Sequence, residues 1–304
     1  MASLGHTLEY LAARAGMALA CSLSARSADA FGVRLGRIAH RLLASRRRMA
    51  FDNMKAAMGD SLDDARIEEL VRQVFENMGR TVVELSRFRK IGPEGVRRLV
   101  DPAGFEPVHE ALSRGKGAII ASAHFGNWEL MGVYPSACGI PADMIVLTQH
   151  NTAVNGLIVG LRRSIGTGIH EVPSQIRGVF KALRQNRLIL LAADQHSASA
   201  SMVLDFMGRP AAVYRGPAIF AVRCGCPVIP MLMRRESYDR HVIAAGDPIY
   251  PDPGRDEEEN VRKITAGYFT FLEKQIRTWP EQWLWTHNRW KLKQPEGNPD
   301  GAET

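Results

Sequence analysis

The 304-residue chain has only four cysteines, Cys21, Cys138, Cys224 and Cys226. None stands in zinc-finger spacing, and Cys224-Gly225-Cys226 lacks the two-residue spacer of a thioredoxin-like motif. They read as reduced, mostly buried thiols suited to a cytosolic setting, and no second ligand cluster accompanies them to build a metal site. Long apolar runs are absent too. Glu9 and Arg14 interrupt the amino-terminal stretch, which falls short of the ~20 apolar residues of a membrane span and lacks the features of a cleavable signal. Without a Gly-x-Ser-x-Gly elbow, a serine hydrolase reading has no nucleophile. Without a Gly-x-x-x-x-Gly-Lys loop, a nucleotide hydrolase reading has no phosphate cradle, and Gly208 and Gly216 are single glycines rather than a dinucleotide fingerprint. Aromatic residues make up 7% and are not interleaved with the arginines, which argues against a nucleic-acid partner. There is no internal repeat and no low-complexity segment.

What remains is an ordinary globular composition with an excess of basic charge. Lys and Arg number 39 against 32 Asp and Glu, a formal net charge of +7. Arginine supplies most of that excess and is dense in the first third, a balance that suits anionic partners: lipid head groups, nucleic acid or an acidic protein. Residues 1–25 are amphipathic, with Leu8, Leu11, Ala12, Ala15, Leu19 and Leu23 at helical spacing. A second helix is predicted over Ala28–Ser45, with Arg34, Arg37 and Arg41 on one face and Arg46-Arg47-Arg48 directly after it. An apolar face flanked by arginines can lie in an anionic membrane interface, or the pair can be a helical hairpin with solvated arginines. Helix continues over 49–90, capped near Asp60–Asp64 and broken at Gly92-Pro93. The division expected is a helical, membrane-associating region over 1–92, an α/β domain over 93–293 and a disordered tail over 294–304.

From Gly117 the rhythm changes to alternating strands and helices, the signature of a mainly parallel central sheet flanked by helices. Strands are predicted at Ala118–Ala123, Asp143–Thr148, Gly168–Val172, Arg187–Ala193, Val228–Met233 and His241–Ala244. Helices are predicted at Trp128–Cys138, Val154–Ile165, Ser174–Gln185, Gly216–Cys224 and Asp256–Thr278.

The first of these strands runs into His124-Phe125-Gly126-Asn127-Trp128-Glu129. A buried strand that ends in a Gly-containing turn and a helix delivers residues to the carboxyl edge of a sheet, where ligands bind in open α/β folds. His124 and Glu129 flank that turn, and the carboxylate is expected to reach one imidazole nitrogen, fixing the tautomer of a general base. A satisfied core histidine and a glutamate favoured at a helix amino terminus fit the same spacing. Asp194-Gln195 closes a second buried strand. Arg215 before Gly216-Pro217 puts a guanidinium at a helix start, which suits a phosphate or oxyanion or is simply a capped helix. Arg162 lies on a helix after the second strand, facing the cleft or solvent. With a base and no nucleophile, the chemistry indicated is direct group transfer through a ternary complex.

His124–Glu129 resembles the His-x-x-x-x-Asp/Glu motif of the lysophospholipid acyltransferase superfamily, and in its glutamate form the bacterial late acyltransferases of lipid A synthesis. Ala193-Asp194-Gln195, Asp205–Pro210, Arg215–Ala218, Gly225–Pro230 and Pro280–Lys291 follow in that family's order. The resemblance implies transfer of a fatty acyl group from an acyl carrier protein thioester, or from acyl-CoA, to a hydroxyl of a glycolipid acceptor, without cofactor or metal. It implies His124 as base and Glu129 as its partner. Asn127, Arg162, Asp194, Gln195, Gly208, Arg215 and Gly216 are implied to bind substrate, Arg215 holding phosphate or polarising the acyl carbonyl. The setting it implies is the cytoplasmic face of a bacterial inner membrane, with the chain peripheral or anchored by its first helix. The same chemistry on a lysophospholipid or other lipid, and a lipid-binding protein without turnover, are the alternatives. Tyr214 and Cys224-Gly225-Cys226 are less usual fillings of their motifs and bear on chain-length preference.

Overall fold

A computed structural model of the chain describes residues 4–195 and 201–290. Five helices come first: α1 (Leu4–Ser22), α2 (Ala25–Leu42), α3 (Ala44–Met58), α4 (Asp64–Ser86) and α5 (Phe88–Arg98). There follow β1 (Val100–Asp101), α6 (Glu106–Ser113), β2 (Ala118–Ser122), α7 (Trp128–Ala137), β3 (Ala142–Leu147), α8 (Thr152–Arg163), β4 (Gly168–Val172), α9 (Ile176–Arg184) and β5 (Leu188–Ala192). The chain closes with β6 (Ser201–Phe206), β7 (Arg209–Tyr214), α10 (Gly216–Cys224), β8 (Val228–Arg235), β9 (His241–Ala245), α11 (Glu257–Thr278) and a 3-10 turn at Pro280–Gln282. The six strands and five helices expected after Gly117 are all present, shifted by one or two residues at most ends. The tail 294–304 lies outside the described residues.

Seven strands form one sheet in the order β1-β9-β8-β2-β5-β3-β4, with only the β8–β9 pair antiparallel. This is the α/β fold class expected. β2 sits at its centre and is buried on both faces, because successive side chains point to opposite sides of a strand. Ala118 and Ile120 join an apolar cluster with α5, α6 and α7, while Ile119, Ala121 and Ala123 join a second with α3, α4, α10 and α11. Met54, Ile67, Leu70 and Phe75 of α3 and α4 therefore share one core with the sheet. No described helix is long and apolar enough to cross a membrane.

Two local features differ from the sequence reading. Gly92, with non-helical φ +62 and ψ −176, breaks α5 at the expected Gly92-Pro93, but the helix resumes beyond it to Arg98 instead of ending there. The segment Ser201–Tyr214 folds into an antiparallel hairpin, β6–β7, turned by Met207 (φ +59) and Gly208 (φ +73).

Candidate active site

The register of the two central strands builds the site. Ser122 of β2 pairs with Ala192 of β5, and the ladder extends through the Ala193 amide to the Ser122 carbonyl. Two residues further along each strand, His124 and Asp194 come side by side. His124 Nδ1 lies 2.9 Å from Asp194 Oδ1, and the His124 backbone N–H donates to Asp194 Oδ2 at 3.2 Å. Trp283 donates its indole N–H to Asp194 Oδ2 at 2.9 Å. Asp194 is buried, whereas the His124 side chain keeps 26% of its surface exposed.

Glu129 is not the hydrogen-bond partner of His124, contrary to the expectation from their spacing. It begins α7 and forms a two-pronged ion pair with Arg162, at 2.9 Å to Nε and 2.7 Å to Nη2. The reason is geometric. Helix α7 carries Glu129 toward α8, which bears Arg162, while the strand register already supplies His124 with a carboxylate. Glu129 and Arg162 still border the histidine, in the same cavity.

Burial pushes the His124 pKa down, but the Asp194 carboxylate outweighs it, with Glu129 adding to the rise and Arg162 opposing it, so the net shift is upward. Burial likewise pushes the Asp194 carboxyl up, and the charge and hydrogen bonds of His124 more than reverse that. The two shifts describe a buried carboxylate that favours imidazolium formation. Because Nδ1 faces Asp194, Nε2 is the nitrogen left for a substrate proton.

A cavity of about 530 Å³ opens beside His124, lined by apolar residues such as Trp128, Met131, Met144 and Leu190, with Ser122, Glu129, Gln149, Arg162, Gln195 and Tyr214 as its other polar members. It is an apolar trough with charge and hydrogen-bonding groups beside the histidine.

The remaining candidates divide. Arg162, Gln195 and, through His124, Asp194 belong to the cavity. Asn127 does not. Its side chain is buried, caps α7 by accepting the Leu130 N–H at 2.9 Å, and donates to Glu84 at 2.6 Å. Gly208 is an exposed turn residue of the hairpin. Arg215 pairs with Glu258 of α11 at 2.8 Å and is not on the cavity wall. Gly216 is buried beneath the Tyr214 ring, which a side chain there would overlap. Trp283 is the site residue that sequence reasoning placed only within a terminal segment. A tryptophan in a short run after a helix carries no local sign that it will bind a carboxylate more than eighty residues away.

The family model of bacterial lipid A biosynthesis acyltransferases matches residues 2–292. The chain belongs to that family. It is an acyltransferase, as the sequence motifs implied. Among its curated relatives is the lipid A biosynthesis lauroyltransferase of Escherichia coli (strain K12), 24% identical over 272 residues, which span 88% of this chain and 86% of that protein. The palmitoleoyltransferase of the same organism is 23% identical over 266 residues, 86% and 84% of the two chains. A phosphatidylinositol mannoside acyltransferase of Mycolicibacterium smegmatis is 23% identical over 231 residues, 73% of each chain. In this acyltransferase the strand register, and not the helical spacing of the motif, selects the carboxylate that holds the histidine.

Proposed function

We propose that the acyltransferase moves a fatty acyl chain from an acyl thioester, with acyl carrier protein as the carrier, to a hydroxyl of a lipid A precursor. His124 Nε2 takes the proton of the acceptor hydroxyl as its oxygen attacks the thioester carbonyl carbon. The tetrahedral intermediate collapses with cleavage of the C–S bond, and the departing thiolate recovers the proton from the imidazolium. Asp194 stabilises that imidazolium and keeps its Nδ1 protonated, as a general base acting through Nε2 requires. In this reading the transfer is direct, without an acyl-enzyme: among the described residues no serine, threonine or cysteine side chain is hydrogen-bonded to His124, and the imidazole is engaged by Asp194.

The observation that carries this reading is the His124–Asp194 pair at the mouth of an apolar trough. The trough accepts the acyl chain, and the Arg162–Glu129 ion pair and Gln195 border the reacting groups. The basic surface favours both an acidic carrier and a phosphorylated acceptor. The exposed Leu4, Leu8, Leu11 and Leu19 of α1, with the exposed Arg34 and Arg41 of α2, support peripheral contact with the cytoplasmic face of a bacterial inner membrane.

The mannoside acyltransferase relatives make the acceptor the open choice, so the test varies it. Purified protein is given acyl carrier protein thioesters with a lipid A precursor, a lysophospholipid or a phosphatidylinositol mannoside, and lipids of a deletion strain are profiled by mass spectrometry. Transfer to the lipid A precursor, with loss of one acyl chain from lipid A alone, is the expected result. Transfer confined to another acceptor overturns the lipid A assignment, and lipid binding without thioester consumption overturns catalysis.

A further inference from the structure

The turn between His124 and α7 is held from behind by a cluster of buried polar groups that no part of the reaction uses. Asn77, Thr81 and Glu84 stand at helical spacing on one face of α4. Asn77 Nδ2 donates to the Gly126 carbonyl at 3.0 Å, and the Thr81 hydroxyl, whose one proton lies between the Asn77 and Gly126 carbonyls, is 3.1 Å from the latter. Glu84 accepts from Asn127 Nδ2 at 2.6 Å and is ion-paired with Arg235 at the end of β8. Arg235 in turn donates to Asn77 Oδ1 at 2.9 Å and to Thr81 Oγ1 at 3.1 Å, and it contacts the buried His241. The backbone is tied as tightly. The Gly126 N–H donates to the Gln282 carbonyl and the Asn127 N–H to the Met233 carbonyl, at 2.8 and 3.0 Å.

Gly126 sits at φ +54, and a Cβ there would run into the Met233 carbonyl oxygen. Glycine adopts this left-handed conformation readily, whereas any other residue at 126 would be strained and would collide with Met233. From the other side, α4 crosses α2 so closely that a side chain on Gly36 or Gly79 would strike the facing backbone. The helix that grips the turn is itself locked in place.

We propose that Glu84, through Asn127 and Arg235, is a positioning residue for catalysis: it sets the His124–Asn127 turn and so aims the histidine at the acceptor hydroxyl. The inference rests on His124 being the base. A purely structural cluster would stabilise the fold without affecting the turnover of folded protein. A positioning cluster governs the placement of the imidazole over distances where a shift of about 1 Å costs on the order of a hundredfold in rate.

The test is a polarity swap that spares the helix cap. Asn127→Asp keeps an oxygen for the Leu130 N–H but faces Glu84 with a second carboxylate. Glu84→Gln removes the charge that balances Arg235. In Glu84→Gln/Asn127→Asp the new amide donates to the new carboxylate, and the buried cluster regains its negative charge. Each single variant, shown by circular dichroism to be folded, is expected to lose on the order of 10- to 100-fold in kcat at near-unchanged KM. The double variant is expected to recover most of that loss. The ring resonances of His124 should shift in each single variant and return in the double.

A folded single variant with wild-type kcat and unshifted His124 resonances overturns the proposal, as does a double variant without recovery. His124→Ala assayed alongside separates the two readings. If it retains activity the base assignment fails, while the ring resonances of the other variants still decide whether Glu84 positions the histidine.

Discussion

Asp194→Asn is the perturbation that discriminates most sharply between carboxylates. Oδ2 of Asp194 accepts two hydrogen bonds, from the Trp283 indole and the His124 backbone amide, and Oδ1 faces His124 Nδ1. An asparagine must satisfy the same two donors with its single oxygen, which turns its NH2 group toward Nδ1. Nδ1 then becomes an acceptor, the ring proton moves to Nε2, and the nitrogen that should take the substrate proton is blocked. Losing the charge-assisted bond alone is worth about 1.5–3 kcal/mol, roughly 10- to 150-fold in rate. The tautomer change brings the expected loss in kcat to on the order of 10²–10⁴-fold.

The pH profile supplies a second signature. In the wild type the carboxylate raises the His124 pKa against the opposing effect of burial. A base must be neutral to act, so the acidic limb of kcat/KM follows that raised value. Removing the carboxylate lets burial prevail, and the limb moves to lower pH while the plateau falls. The assay is thioester consumption across pH with a lipid A precursor. A plateau within about twofold of wild type, with an unmoved limb, would refute the pairing as the source of basicity.

Three further outcomes follow from the geometry. Glu129→Gln leaves the Arg162 guanidinium without its buried partner, and unfolding in urea should show a loss of about 3–5 kcal/mol. Because Glu129 and Arg162 act on His124 in opposite senses, Glu129→Gln/Arg162→Met should keep the acidic limb near its wild-type position. A limb displaced as far as that of Asp194→Asn would instead make Glu129 the orienting carboxylate. His241 is fully buried, and burial together with Arg235 holds its pKa down at about 3. The unfolded chain therefore binds a proton below pH ~6.5 that the native state refuses, and stability falls as pH drops from there toward 3. This group alone should cost roughly 2 kcal/mol between pH 7 and pH 5. His241→Gln keeps an acceptor for Arg235 and should flatten that slope in urea unfolding; an unchanged slope would mean that other groups set it.

The strands and helices after Gly117 were legible because their signals are local. A seven-residue run of apolar and small residues that stops at His124 is a buried strand, and a helical stretch from Trp128 follows its Gly-containing turn. The β6–β7 hairpin was not legible, because Met207-Gly208 is not the Asn-Gly or Asp-Gly pair that marks a tight turn. The His124–Asp194 pair was half legible. Each residue visibly ended a buried strand, but only the β2–β5 register shows that they meet, and a register between strands seventy residues apart leaves no trace in spacing. Glu129, five residues from His124, was the nearer carboxylate in sequence and the wrong one in space. Arg215 carried the composition of an anion site, yet its partner Glu258 belongs to a helix more than forty residues later. Glu84 and Arg235 did not stand out in the sequence, since nothing local says that α4 turns this face toward the His124–Asn127 turn.

The claim on which the rest depends is that His124 takes the proton of the acceptor hydroxyl in a direct transfer. Purified His124→Ala, assayed with acyl carrier protein thioesters and a lipid A precursor beside the wild type, tests it most directly. The expected result is folded protein whose transfer is slowed on the order of 10²–10⁴-fold. Transfer near the wild-type rate would contradict the claim.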